Sequence, residues 1–279
     1  MDLVRRVSAM AEIARQARVR GRRIGLVPTL GALHDGHLAL VGAVRERTDL
    51  VVVSIFVNPT QFGPEEDFAA YPRNLARDTD LCIAAGVDCV FAPPADDLYP
   101  QGPPTWVEVE GPSARLEGAS RPGHFRGVTT VVLKLLHVVR PHVAAFGQKD
   151  AQQAWIARRM IHDLLLDVEV VVTPTLRDTD GLALSSRNAY LSVTERVAAC
   201  AIPRALDAAR EARTSPEATA ESVVAAARAV LGAEGTLRVD YVELVDAGSF
   251  ERATSLDGER LLLVAVWSGR TRLLDNVTL

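Results

Sequence analysis

The segment IGLVPTLGALHDGH at residues 24–37 decides how the rest of the chain is read. Residues 24–27 form a short apolar strand, and residues 28–37 carry its end into a helix-like stretch at 36–47. The next apolar run, LVVVSIFV at 50–57, shows no alternation, as a strand buried on both faces requires. Outward from there, residues 75–85, 128–138 and 151–165 have helical character, whereas 89–91, 143–146 and 168–172 read as strands. Strands alternating with helices of this length predict βαβ units. The expected fold is α/β, with a doubly wound parallel sheet occupying residues 1–175.

Beyond residue 175 the character changes. The alanine-rich stretch at 214–232 predicts a helix with Ser215 as N-cap, Pro216 behind it and Gly232 closing it. Residues 237–244 and 260–266 read as strands, so a second, smaller α+β domain is expected over 176–279. Loops rich in Pro and Gly at 58–74, 93–104 and 118–127 are expected to be functional, because ligands of such sheets bind beyond the carboxyl ends of the strands.

A chain of 279 residues is long enough for two domains with sizeable cores. Its 31 basic and 35 acidic residues give a net charge of −4, which leaves no electrostatic footprint for nucleic acid or an anionic membrane surface. Cys82, Cys89 and Cys200 are odd in number and lack CxxC spacing, so they read as small apolar residues in a reducing compartment. No stretch nears the ~20 apolar residues of a membrane span. The first 23 residues carry seven arginines, yet Leu3, Val4, Val7, Met10, Ile13, Ala14 and Ala17 keep helical spacing, and Asp2 and Glu12 are acidic. A surface helix is expected there in preference to a targeting segment, and a cytoplasmic location with it.

The usual nucleotide and hydrolase motifs are missing: there is no GxGxxG, no GxxxxGK followed by Ser or Thr, and no GxSxG. Four other segments carry candidate chemistry. In PTLGALHDGH at 28–37, a helix start offers N–H groups to a phosphate, and Gly31 and Gly36 allow close approach. His34 and His37 straddle Asp35-Gly36, so both rings can address one point. A metal pair and two structural histidines are the competing readings, and the first lacks an evident third ligand. In GQKDAQQ at 147–153, Lys149 stands at a strand end where it can reach phosphates as a point charge, with a solvated surface lysine as the alternative. Asp150 and Gln153 also fit a capping box. DGLALSSRN at 180–188 groups Ser185, Ser186 and Arg187 to wrap a triphosphate, although such composition is common in loops. FVNPTQFG at 56–63 offers Asn58 and Gln61 as neutral polar groups for an organic acid, or a plain Asn-Pro turn.

With YPRN at 71–74 and RPGHFRGV at 121–128, these segments resemble the successive motifs of the pantothenate synthetase family, in the family's order, across residues 28–188. That family is one of the HxGH nucleotidyltransferases. The resemblance implies a Rossmann-like first domain and an ATP-dependent condensation of pantoate with β-alanine through a pantoyl-adenylate, releasing AMP and pyrophosphate. It implies that His37, His34, Lys149 and Arg187 are catalytic. The ATP would be lined by those four and by Leu30, Gly31, Ala32, Leu33, Asp35, Gly36, Gly147, Gln148, Asp150, Leu176, Leu184, Ser185 and Ser186. Gln61 and Gln153 would hold pantoate, with Gln61 also serving β-alanine. Magnesium bridging the β- and γ-phosphates and a homodimer are implied as well.

Some positions depart from the family's pattern. Leu30 stands where Met is frequent, Gln148 where Glu is, and Ala151 where Tyr is, but none removes an implied catalytic group. Two rival functions remain open at this level: a nucleotidyltransferase that keeps AMP on its product, and an ATP- or metal-binding regulatory module that binds without turnover.

Overall fold

The computed structural model describes residues 1–64, 66–100 and 105–279. Residues 101–104 of the loop expected at 93–104, and Glu65 of the loop expected at 58–74, lie outside the described residues. The chain divides into two compact units, Met1–Gly147 with Gln152–Pro174, and Gln148–Ala151 with Thr175–Leu279.

The first unit runs β1 (Asp2–Val4), α1 (Val7–Val19), β2 (Ile24–Thr29), α2 (Asp35–Arg45), β3 (Leu50–Ile55), α3 (Leu75–Ala84) and β4 (Cys89–Phe91). It continues with the short α4 (Ala95–Leu98) and α5 (Glu117–Ser120), then α6 (His124–Val139), β5 (Val143–Gly147), α7 (Ala151–Asp163) and β6 (Glu169–Thr173). The six strands form a parallel sheet in the order β1-β4-β3-β2-β5-β6. The unbroken apolar run of β3 is explained by its two partners. Leu50 and Val52 enter the core shared with α1, α6 and α7, while Val51 and Val53 enter the core shared with α2 and α3. Successive side chains point to opposite faces, so a strand covered on both sides has no polar position to spare. The strand order turns back between β2 and β5, and the crevice beyond their carboxyl ends is where such sheets bind ligands.

Three expectations for this unit need correction. Leu3 and Val4 belong to a strand, not to the first helix, because residues 2–4 pair with β4 and the Val7 N–H then starts α1 on the Asp97 carboxylate at 2.8 Å. The segment 118–127 is not a loop throughout. Gly123 turns left-handed (φ 82°) and α6 begins at His124. The loop 93–104 likewise contains α4.

The second unit contains α8 (Val193–Ala199), α9 (Ala201–Arg213), α10 (Ala220–Ala233) and the antiparallel sheet β7 (Leu237–Asp246), β8 (Arg260–Ser268), β9 (Thr271–Thr278). Ala205, Leu206 and Ala209 of α9 and Val223, Ala227 and Leu231 of α10 share a core with Leu262, Val264 and Val266 of β8. Ser215 does not cap α10. Its hydroxyl accepts from Glu217 in a preceding turn, and Thr219 and Ser222 form a reciprocal capping box that satisfies two N–H groups at once. Gly232 lies inside the last turn, and Glu234 ends the helix. Among the described residues, no helix is long and apolar enough to cross a membrane.

Candidate active site

At the end of β2, the Thr29 hydroxyl donates to the Ser54 carbonyl (2.7 Å) and accepts from the Gly31 N–H (3.1 Å). Gly31 (φ 85°) and Ala32 (φ 51°) then turn left-handed in succession. For an alanine that conformation costs about 1 kcal/mol, so something must hold it. Asp78, in the first turn of α3 and 1% exposed, accepts the Ala32 and Leu33 N–H groups at 2.8 and 2.9 Å. Arg77 adds a bond to the Leu33 carbonyl at 3.1 Å. The chain therefore reaches His34 on a braced loop.

His34 is the N-cap of α2. Its Nδ1 accepts from Gly36 N–H (3.2 Å), and His37 Nδ1 accepts from His34 N–H (3.3 Å), so the two rings make a capping box of histidines. Their centroids are 4.1 Å apart at a tilt of 46°. A ring that accepts at Nδ1 carries its proton on Nε2 when neutral, which makes both histidines Nε2–H donors. A Cβ on Gly36 would fall 2.8 Å from His34 Cε1, so glycine is what lets that ring fold over the backbone. One expectation is corrected here. The N–H groups of Gly31, Ala32, Leu33, Gly36 and His37 are all bonded inside the protein, to Thr29, Asp78 and His34, so none of these five is the unengaged phosphate donor expected at this helix start.

Gln61 closes the 3-10 turn Pro59–Gln61 beyond β3. Asn58, fully buried, donates from Nδ2 to Gln61 Oε1 (3.0 Å) and to the Gly127 carbonyl (3.1 Å), and its Oδ1 accepts from the Thr60 hydroxyl (2.9 Å). Both ends of the Asn58 amide are thus consumed by the scaffold, and it orients Gln61 instead of facing an acid itself. Gly127 lets α6 approach this turn, since a Cβ there would meet the Thr60 carbonyl at 2.3 Å. Beneath it, His124 Nδ1 donates to the Gln61 carbonyl (2.8 Å), and Nε2 accepts from Arg121 (3.0 Å), which also forks onto Glu66 at 2.9 and 2.6 Å. Burial, helped by the Arg121 charge, pushes His124 down to about 4, which agrees with a ring that must stay neutral to accept from Arg121. On α7, Gln152 is buried and bonded to the Pro112 and Arg115 carbonyls and the Glu117 N–H, while Gln153 beside it is half-buried. A cavity of about 270 Å³ lined by Leu30, Gly31, Phe56, Asn74 and Asp78 includes neither histidine nor Gln61.

In the second unit, residues Gln148–Asp150 form a 3-10 turn directly before Ala151. The Lys149 ammonium lies 3.7 Å from Asp150 Oδ1, with the side chain 20% exposed. Ser185 caps a second 3-10 turn, Ser186–Tyr190, by accepting from the Arg187 N–H at 3.3 Å. Leu184 N–H bonds the Leu176 carbonyl at 2.9 Å, which brings those two apolar residues side by side ahead of the Ser185–Arg187 group. Among the described residues no group of three or more His, Cys, Asp or Glu is arranged to hold a metal.

The chain matches the family described as pantoate-beta-alanine ligase over residues 2–278. It belongs to that family. A pantothenate synthetase from Moorella thermoacetica is 50% identical over 279 residues, covering 100% of this chain and 99% of the relative. The crystal structure of pantothenate synthetase from Thermus thermophilus superimposes with a TM-score of 0.94 at 44% identity, covering 99% of both chains. That of pantoate-beta-alanine ligase from Francisella tularensis, complexed with beta-gamma ATP and beta-alanine, gives 0.80 at 33% identity, covering 99% of this chain and 97% of that one. The protein is therefore an enzyme of the ligase class, on a Rossmann-like sheet with a smaller α+β partner.

Within this ligase scaffold, several residues that shape the site were not singled out by their sequence. Asp78, Gly127 and His124 act on neighbours 46, 67 and 63 positions away, Ala32, Thr60 and Gln61 respectively, and such contacts leave no local pattern. Gly127 and His124 do fall inside RPGHFRGV, so the motif marked them without their roles.

Proposed function

We propose that this ligase condenses pantoate with β-alanine at the expense of ATP, through a pantoyl-adenylate. The observation that carries the reading is the histidine capping box, which fixes two Nε2–H donors 4.1 Å apart (ring centroids) at the carboxyl end of β2. In the first step a carboxylate oxygen of pantoate attacks the α-phosphorus of ATP. The bond to the α–β bridging oxygen breaks, and pyrophosphate leaves with the electron pair. In the second, the neutral amine of β-alanine attacks the acyl carbon, AMP leaves, and the nitrogen loses a proton to give the amide.

In this reading His34 and His37 donate to phosphoryl oxygens that gain charge, with His37 as the candidate general acid or electrostatic stabiliser. Lys149 and Arg187 neutralise the phosphates, with Ser185 and Ser186 as neutral donors. The Gln61 Nε2, aimed by the bond from Asn58 to its Oε1, holds pantoate together with Gln153 and also meets β-alanine. Leu30, Gly147, Gln148, Asp150, Leu176 and Leu184 line the nucleotide. Magnesium would enter with ATP and supply neutralisation of the phosphate charge, alongside Lys149 and Arg187. The functional division is taken as 1–175 and 176–279, in a cytoplasmic homodimer.

The test is ATP consumption with pantoate, with and without β-alanine, following pyrophosphate, AMP and pantothenate. AMP and pantothenate rising together only when both acids are present is the expected result. AMP retained on a product, or ATP bound without turnover by folded enzyme, would overturn the reading.

A further inference from the structure

Asn276 sits near the end of β9, 4% exposed, and the reaction above gives it no part. Its side chain is engaged at both ends by the turn that carries Lys149. Nδ2 donates to the carbonyls of Gln148 (2.8 Å) and Lys149 (3.0 Å), and Oδ1 accepts from Gln148 Nε2 (3.0 Å). Flipping the amide would set its oxygen against two carbonyls, so only this orientation satisfies the three bonds. Every peptide bond described is trans. Drawing the 148 and 149 carbonyls onto Asn276 therefore turns the N–H groups of Lys149 and Asp150 the opposite way. The anchor is itself anchored. Asp275, 2% exposed, forks onto Arg177 at 2.5 and 3.1 Å and accepts the Asn276 N–H at 2.8 Å. Gln148 contributes an amide donor that a glutamate at this position would lack, so the reciprocal bond to Asn276 Oδ1 is a property of this chain's own pair.

We propose that Asn276 is a positioning residue for Lys149, its buried amide setting the peptide planes of residues 148–150 so that Lys149 meets the phosphates of ATP. This rests on the reading of Lys149 as a phosphate-binding cation. Asn276 is buried with both ends of its amide bonded to the turn, so its effect must pass through the turn. A merely structural tie would lower stability without regard to Lys149. A positioning tie couples to it.

The experiment uses the full chain with Asn276→Ala, Asn276→Asp and Lys149→Ala, singly and combined. The aspartate keeps the volume and the acceptor for Gln148 Nε2, but faces the two carbonyls with a charge in place of donors. Melting temperature, kcat, and KM for ATP and for β-alanine are measured for each. The expected result is a fall in kcat/KM for ATP on the order of tenfold or more, an unchanged KM for β-alanine, and little further loss when Asn276→Ala is added to Lys149→Ala. Full multiplication of the two effects, or a lowered melting temperature with wild-type kcat/KM, would overturn the proposal. Should Asn276→Ala fail to fold, Asn276→Asp carries the same comparison. A Lys149→Ala enzyme with wild-type kcat/KM is a distinct outcome. It would sink the reading of Lys149 and leave this coupling without an object.

Discussion

Two short segments of this ligase each have two backbone groups bonded to one buried side chain, and the two side chains have opposite polarity. Asp78 accepts two backbone N–H groups from the loop before His34, whereas Asn276 donates to two backbone carbonyls of the turn that carries Lys149. In the first segment the backbone donors are used up, and in the proposed reaction the imidazole Nε2–H groups serve in their place. In the second the acceptors are used up, and the backbone donors of residues 149 and 150 point away from the tie. Side chains therefore supply the donors in one place, and backbone with an ammonium can supply them in the other.

The comparison breaks most readily at the histidines. His37→Ala is expected to lower kcat by about 10²–10³-fold, the usual loss of one donor to a developing oxyanion. A fall of less than threefold in a variant that melts like the wild type would remove the imidazoles from the reaction.

A third buried side chain, His124, sharpens the comparison because it titrates. Its folded pKa lies at about 4, below the ordinary 6.5, so between those values the unfolded chain binds the extra proton. The stability it contributes is present above pH 6.5 and is lost as pH falls toward 4, by roughly 3 kcal/mol in total. In urea unfolding the gap between wild type and His124→Gln should narrow from pH 7 to pH 4.5. A gap that stays constant would mean that burial does not hold this ring neutral.

Asp78→Asn is expected to cost about 2 kcal/mol, because one N–H loses a charged acceptor and faces an amide donor. Urea unfolding together with the ATP KM measures it, and a variant changed in neither would show that the left-handed Gly31–Ala32 pair needs no brace. The smallest effect calibrates the rest. Thr219→Ala should cost about 1 kcal/mol as loss of a true N-cap, against a few tenths for Ser215→Ala. The reverse ranking would restore Ser215 as the cap of α10.

Legibility along the chain followed the range of the interactions. The strands at 24–29, 50–55 and 143–147 were readable because burial on both faces writes itself as a continuous apolar run. Strand β1 was not, since three residues that gain their structure by pairing with β4 carry no period of their own. Strand β9 and helices α8 and α9 went unread for the complementary reason, that their apolar positions make sense only against the second core. At the site, PTLGALHDGH pointed to His34 and His37 directly, but not to the capping box that fixes which nitrogen holds the proton. FVNPTQFG pointed to Asn58 and Gln61 alike, and only packing against Gly127 separated the scaffold residue from the one it aims.

What the sequence determined by itself was the alternation of elements, the family and the residue types available for chemistry, since these depend on patterns within a few turns or strands. What the tertiary structure alone decided was which of those groups are spent internally. Asp78 reaches back 46 positions, and Asn276 reaches back 127 positions to Lys149. The physical reason is that a hydrogen bond between distant segments is selected by the packing that brings them together, and a buried polar atom is satisfied by whatever that packing places beside it.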